Sequence, residues 1–484
     1  MSDLIKKIAA EYDKMPITTK AAVWFTICNC ISSGITFLSM PLFTRLMSSS
    51  QYGVVTVYNS WVQMFSVFAT LNLSAGAFNN GMVKFSDDRN RYSSSMQGLF
   101  SVVNLVVALV VLCTCSLIPG AVDLPLPLIA CIFAQIFANQ IFALWSARQR
   151  YEYKYKSLLA MTFVFAVAVT VFSVIVVALI PDDSAKATAK VFSSAFGGVL
   201  VALTIIFVTQ KKSPNPFVGE YWKFAFNFSV PLIPHYLSLI VLGQIDRIMI
   251  ASMIDESTAA HYAVAYTIGM ALSIISSALN SSIVPWQFEK MKKKDFSGMS
   301  QRATTMVALL SAIGILVALV SPEILYVAAP PEYQEAIIVM PPVVLSIVFT
   351  FIYNVLSNYE FYYMENKFIS IASMIAAVVN VVLNAVFIPV FGFVAAACST
   401  VACYGLLAFA HTMFSLFVCR KHVGVADTRK MLDPRALWLV AGVAAAAMLA
   451  CYLLYPFAVV RYITIAAVCV FAVLKRDTIR NVLS

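Results

Sequence analysis

Fourteen times along this chain an apolar run of about twenty residues recurs, set between short polar or charged loops. A helix of that length covers the ~30 Å of hydrocarbon in a bilayer. The runs lie at about 21–45, 54–82, 97–119, 125–147, 157–180, 190–209, 224–252, 260–285, 303–320, 338–361, 368–389, 393–418, 437–454 and 457–474. No loop between them is long enough for an inserted soluble domain. The pattern predicts an all-α polytopic membrane protein. Composition agrees: 12% of residues are charged and the mean hydropathy is +0.85, where a soluble domain carries about 25% charge. A membrane β-barrel needs alternating segments of roughly ten residues, and these runs are continuous and longer.

The charges fix an expected orientation. The formal net charge of +10 does not read as a nucleic-acid groove, because the basic residues sit in short loops between apolar runs. With the N-terminus inside, all of the 33 Lys and Arg residues fall on inside loops and tails except Arg45, Lys186, Lys190, Arg247 and Arg461. Both termini are therefore expected in the cytoplasm. No cleavable leader is expected, and the first twenty residues read as a basic amphipathic lead-in. The ten cysteines lie in or at the edges of apolar runs without metal-site spacing, so they read as small buried hydrophobes.

The polar signal is clearest from Pro41 to Lys84. A short polar turn, Ser48–Gly53, precedes a run carrying Asn59, Gln63, Ser66, Thr70 and Ser74. At ~100° per residue these five stay within roughly 80° of one helix face. Lipid does not reward such a stripe, so it should face protein or water. The same register places Lys84 on the stripe at its far end. The expectation is one wall of a polar cavity.

Other runs carry similar signals. The first has Asn29, Ser33, Thr36 and Met40 near one face, then Pro41 and Arg45. Arg45 either reaches the cavity through a kink at Pro41 or snorkels to outer headgroups. The fourth has Gln135, Asn139, Ser146 and Arg150, with Arg150 at the inner mouth or as an ordinary interfacial anchor. The seventh holds Pro231, Pro234, His235, Asp246 and Arg247, read either as a functional charge cluster or as a local ion pair. The eighth has a weaker stripe, Tyr266, Ser273, Ser277 and Ser281. The tenth ends in Glu360, which shares a face with Tyr353 and Ser357 and either couples an ion or pairs with Lys367. The basic candidates Arg45, Lys84, Arg150 and Arg247 outnumber the acids Asp246 and Glu360, which suits an anionic ligand.

RLMSSSQYGVVTVYNS from Arg45 can be laid on MIDESTAAHYAVAYTI from Met253, with Tyr58 on Tyr266. Six runs separate the copies, which predicts two six-helix lobes in parallel repeat, 1–210 and 211–420, with an appended helix pair at 421–484. A central cavity between the lobes is the corresponding expectation. The chain has no G-x-x-x-x-G-K-[ST], H-E-x-x-H or G-x-S-x-G. Its outside loops reach only about a dozen residues. An enzyme is therefore not expected.

PLFTRLMSSSQYGVVTVYNSW, followed by NLSAGAFNNGMVKFSDDRNRY, resembles the start of bacterial polysaccharide flippases of the Wzx type, in the multidrug/oligosaccharidyl-lipid/polysaccharide (MOP) exporter superfamily. GQIDRIMIASMIDESTAAHYAVAY resembles their second half, with one departure: Ala260-His261 stands where a glycine is usual. The resemblance implies translocation of an undecaprenyl-diphosphate-linked oligosaccharide across the inner membrane by alternating access, for O-antigen, capsule or other surface polysaccharide. It implies no cofactor, and a proton or sodium gradient as driving force, with His235, Asp246 and Glu360 as titratable candidates. Implied partners are the lipid-linked substrate, membrane lipids, and a polysaccharide polymerase with its chain-length regulator, but no nucleic acid. The diphosphate agrees with the basic candidates Arg45, Lys84, Arg150 and Arg247, and the sugar with Asn59, Gln63 and Thr70. Two competing readings are a drug or organic-cation antiporter of the same superfamily, which wants acids facing the cavity, and a membrane glycosyltransferase or polymerase, which wants long outside loops.

Overall fold

Each apolar run becomes helix because, in lipid, backbone groups must be satisfied within their own segment. The computed structural model describes residues 16–474 other than 75 and 366, and every regular element among them is helical. In chain order these are α1 (Ile17–Leu46), α2 (Ser49–Thr70), α3 (Ala77–Lys84), α4 (Arg89–Leu117), α5 (Leu126–Tyr151), α6 (Tyr155–Ala166), α7 (Phe172–Leu179), α8 (Lys186–Lys212) and α9 (Gly219–Ser229). They continue with α10 (Ile233–Met253), α11 (Glu256–Met270), α12 (Leu272–Lys292), α13 (Met299–Ala328), α14 (Met340–Tyr362), α15 (Lys367–Phe391), α16 (Phe393–Met431), α17 (Pro434–Leu454) and α18 (Ala458–Leu474). Among the described residues, eleven helices, short breaks included, are long and apolar enough to cross a membrane. The chain is a multi-pass membrane protein. The fourteen sequence runs fall mainly on helix, but the first, second and last lie outside those eleven. The calls on the basic terminal segments, such as Lys6, Lys475 and Arg480, lie outside the described residues.

The chain forms two compact units that divide at Leu237/Ser238. In the first, the stretch from Arg45 ends one helix and starts the next through Met47 and Ser48 alone. Ser48 caps α2 by accepting from the Gln51 amide. The polar turn read at Ser48–Gly53 is therefore mostly the first turn of α2. The second run is not one helix. Leu71 and Asn72 take φ of 48° each, and helix resumes at Ala77. The register that would carry Ser74 and Lys84 along the Asn59 stripe thus ends at Thr70. Two successive left-handed non-glycine residues are costly, which a sequence pattern does not reveal.

The core of the first unit gathers Leu73, Phe78, Met82, Tyr92, Met96 and Leu99, all fully buried. The Tyr92 hydroxyl donates to the Ala77 carbonyl at 2.9 Å, and it passes so close to Gly81 that a Cβ there would lie 2.0 Å from it. The fifth run is interrupted by a π-helical turn, Val167–Val171, between α6 and α7. A Cβ at Gly197 would meet the Ala168 carbonyl oxygen at 1.9 Å, so only glycine admits that turn against α8.

In the second unit the stretch from Met253 also passes a capped turn. Asp255 accepts from the Thr258 amide and opens α11. A break at Ala271 then separates α11 from α12. α14 packs against α11, α12, α13, α16 and α17, and buries Phe351, Leu356 and Tyr359 among them. α18 is tied to α13 by polar contacts: Arg461 donates to the Leu319 carbonyl at 2.7 Å and to both Glu323 oxygens at 2.8 and 2.7 Å.

Candidate functional site

In the first unit, one end of the helices carries a cleft of about 890 Å3 lined by Arg89, Asn90, Arg148, Arg150, Tyr151, Glu152, Tyr153, Lys154 and Lys212. α5 brings Arg148 and Arg150 to it, α4 brings Arg89, and α8 ends in Lys212. α5 stops in a Schellman-type turn: the Lys154 amide donates to the Gln149 carbonyl and the Tyr153 amide to that of Arg150, with Tyr153 at φ 54°. That turn folds Glu152 and Lys154 back over the helix end. Arg148 donates to Glu152 at 2.8 Å and also to Asn90, and Lys154 pairs with the other Glu152 oxygen. Arg89 lies over the Tyr151 ring at 4.7 Å. Burial pushes the Glu152 carboxyl up, but hydrogen bonds from Lys154 and Arg148 outweigh it and hold it below the usual range. Five cations thus face one carboxylate that is already engaged, and Arg150 and Lys212 remain exposed at the rim. The arrangement can take a multiply charged anion.

The polar stripe of α2 is partly open. Asn59 and Gln63 are exposed within their unit, Ser66 is half-buried, and Thr70 is buried, where its hydroxyl accepts from the Asn72 amide at 3.0 Å. Ser74 turns instead to α5 and donates to Gln140 at 3.3 Å. Lys84, exposed at the end of α3, lies over the rings of Phe85 and Phe224 at 5.2 and 4.8 Å. Arg45 is exposed and folds back on its own helix, donating to the Pro41 carbonyl at 3.0 Å, while α1 runs through Pro41 to Leu46. Gln135 donates to Asn139 at 3.1 Å. The side chains of Asn29, Ser33 and Thr36 lie outside the described residues. His235 belongs to this unit and is half-buried beside Tyr236.

The second unit holds two buried polar clusters. Asp246 has no exposed surface and accepts from Tyr262 at 2.5 Å, Asn384 at 2.7 Å and Thr400 at 2.9 Å. Its neighbour Arg247 turns the other way, as the ~100° per-residue rotation requires. It stacks 4.0 Å over Tyr266 and donates to the Gly243 carbonyl. Asp246 is thus held by neutral donors, and the pair does not form a salt bridge to each other among the described contacts. Glu360, read as coupling an ion or pairing with Lys367, is fully buried and bonded to His411 Nδ1 at 2.8 Å, with the Ser415 hydroxyl 2.9 Å from the same oxygen, and Lys367 is not among its described partners.

The residues missed from sequence are Arg89, Arg148, Lys154 and Lys212 at the cleft, and Tyr262, Asn384, Thr400, His411 and Ser415 in the clusters. Arg89, Arg148, Lys154 and Lys212 had registered only as orientation charges. Asn380 and Asn384, one turn apart inside an apolar run, were the available signal for the Asp246 cluster.

The sequence model of the polysaccharide biosynthesis protein family matches residues 18–292. A protein of the Lsg locus of Haemophilus influenzae is 23% identical over 375 residues, 75% of this chain and 89% of that one. Among solved structures, the lipid II flippase MurJ in an inward closed conformation superposes with a TM-score of 0.68 at 13% identity, covering 94% of this chain and all of MurJ. An inward-facing multidrug resistance MATE transporter of the MOP superfamily gives 0.60 at 13% identity, over 83% of this chain and 99% of that one. At these identities the two structures speak to the fold alone, which this chain shares with them.

Proposed function

The chain belongs to the polysaccharide biosynthesis protein family, and on that premise we propose that it is a flippase for an undecaprenyl-diphosphate-linked oligosaccharide. The repeat unit is taken from the cytoplasmic leaflet of a bacterial inner membrane to its outer leaflet by alternating access, and feeds surface polysaccharide such as O-antigen or capsule. Fourteen spans with both termini in the cytoplasm, two lobes at 1–210 and 211–420, and a helix pair at 421–484 belong to this reading. So do a downstream polymerase and chain-length regulator as partners, and coupling to a proton or sodium gradient through His235, Asp246 or Glu360.

The observation that carries it is the cationic cleft of the first unit. A diphosphate offers several anionic oxygens, and Arg148, Arg150, Lys154 and Lys212 offer more cations there than Glu152 neutralises. Placed at the inner mouth, the cleft collects the headgroup while the lipid tail stays in the bilayer. The exposed amides of Asn59 and Gln63 supply hydrogen bonds for sugar hydroxyls. Lys84 and Arg45 of the first unit, and separately Arg247 of the second, are proposed as further substrate-binding cations.

A MATE-like drug antiporter is the second reading, supported by the MATE-like fold and the buried acids. An organic cation is repelled by the cleft. Deleting the gene and extracting lipids separates the two. The flippase reading expects lipid-linked repeat units to accumulate and surface polysaccharide to vanish. Normal polysaccharide with no accumulated carrier, in a strain without a second flippase, overturns it.

A further inference from the structure

Glu360 on α14 and His411 on α16 lie 51 positions apart in sequence and meet at 2.8 Å with neither side chain exposed. One carboxylate oxygen, Oε1, is shared by the imidazole Nδ1 and the Ser415 hydroxyl. The other oxygen, Oε2, and the far ring nitrogen, His411 Nε2, are buried without a hydrogen-bond partner. Buried polar atoms are nearly always partnered, so two orphans in one pair call for a reason. The ring is walled by Tyr353 at 4.7 Å and Phe368 at 5.2 Å, and its Nε2 meets no acceptor there.

Charge counting limits what this pair can hold. With one proton shared between carboxyl and imidazole the pair is neutral overall. With none it carries an unpaired negative charge in an apolar wall, and with two an unpaired positive charge. The closed pair therefore favours one proton, and releasing it requires water or a cation to reach the orphaned atoms. The surrounding elements do little to offset a charge. α14 contributes Tyr353, α12 the neutral Gln287 through Asn358, α17 Trp438 through Thr412, and α15 Phe368 with Lys367 at its exposed start. α16 contributes Cys419, fully buried.

A stripe of polar and ionisable side chains runs from the pair along α16. His411, Ser415, Cys419 and His422 fall at i, i+4, i+8 and i+11 and so share one stripe. At its open end His422 stacks on Tyr363 at 4.3 Å, and its Nε2 lies 4.0 Å from Glu365, which pairs with Lys421 at 2.6 Å. The carboxyl-bearing end of α14 stops at Tyr362, so Glu360 sits within one turn of that end.

We propose that Glu360 and His411 form a proton-binding site of the second unit, which exchanges one proton with water at the His422 end of α16. Only an O–H or N–H bond is made or broken: water delivers the proton to the pair and later receives it back. That this proton drives headgroup movement rests on the flippase reading, whereas its binding does not.

The test is infrared spectroscopy of the purified full-length chain in lipid, stepping the pH across the whole range in which the chain stays folded. A protonated buried carboxyl gives a carbonyl stretch that shifts in D2O. An imidazolium gives ring modes of its own, and in the wild type a pH-dependent signal of one kind or the other is expected. It is lost in Glu360→Gln and displaced in Ser415→Ala and His411→Gln, and it persists in Asp246→Asn, which removes the other buried acid. A wild-type chain in which neither a carboxyl stretch nor an imidazolium ring mode titrates overturns the site without any variant, and so does a signal that survives both Glu360→Gln and His411→Gln. Surface polysaccharide is scored in parallel in cells. Titration intact with export unaffected by deletion of the gene sinks the flippase reading alone. Export that depends on the chain, with neither the carboxyl nor the imidazole signal titrating, sinks this site alone.

Discussion

Asn384 donates to Asp246 at 2.7 Å across 138 positions of sequence, joining α15 to α10 inside the second unit. The same carboxylate also holds Tyr262 of α11 and Thr400 of α16, so four helices meet on one buried acid. Asp246→Ala leaves three buried donors without their acceptor, each costing about 1–3 kcal/mol and not fully additive. Asp246→Asn keeps one acceptor oxygen. Thermal unfolding of the solubilised chain should fall steeply for Ala and less for Asn. Equal loss in both would place the cost in charge instead of hydrogen bonding.

Arg461 is expected to hold α18 in place. Its guanidinium is almost wholly buried, while the Glu323 side chain is about one-third exposed. The two-pronged geometry is favourable, and the exposure of Glu323 reduces its worth. Arg461→Ala should lower stability by about 1–2 kcal/mol. Protease cleavage between α17 and α18 should accelerate, and an unchanged cleavage rate would remove the clamp.

Charge reversal at the cleft should impair export. Arg150→Glu at normal expression is expected to reduce surface polysaccharide by about tenfold or more, the loss of one charge-assisted contact being worth about 1.5–3 kcal/mol. Lys212→Ala should do less. Wild-type export with both changes combined would take the cleft off the path.

The loop after α5 should be acid-sensitive. The folded Glu152 carboxyl titrates below its unfolded value, so its contribution is present at neutral pH and lost as the pH falls below about 4. Glu152→Gln should lower the melting temperature at neutral pH and flatten its decline under acid. A parallel decline in both proteins would place the acid sensitivity elsewhere.

Lys294, at φ 55°, ends α12 in the same Schellman-type turn as Tyr153 ends α5, with the Asp295 amide donating to the Lys290 carbonyl. Glycine adopts that conformation without the Cβ penalty. Lys294→Gly is expected to raise stability by roughly 0.5–1 kcal/mol in a thermal melt. A fall would show that the Lys294 side chain has a partner worth more.

Hydrophobic run length made the helical class and the run positions legible, because a membrane leaves the backbone few choices. The helix stops at Tyr153, Lys294 and Met364 were not legible, since all three take positive φ without a glycine to mark them. The break at Leu71 was hidden for the same reason. At the site, Arg150 was found because a charge stood at the end of a polar stripe. Arg148 escaped because it lies off that stripe and reaches the cleft through Glu152. His411 escaped because a single histidine in LAFAHTMF has no visible partner until α14 is laid beside it.

Leu71 and Asn72 have a mechanical meaning as well. Glycines could take φ of 48° freely and leave it as freely. Leucine pays to be there and is held by its buried side chain, which is 6% exposed in the core around Leu73 and Phe78. The corner between α2 and α3 is a welded elbow. The buried leucine resists a change of angle there, so α2 with Asn59 and Gln63 and α3 with Lys84 keep a fixed bend at Leu71.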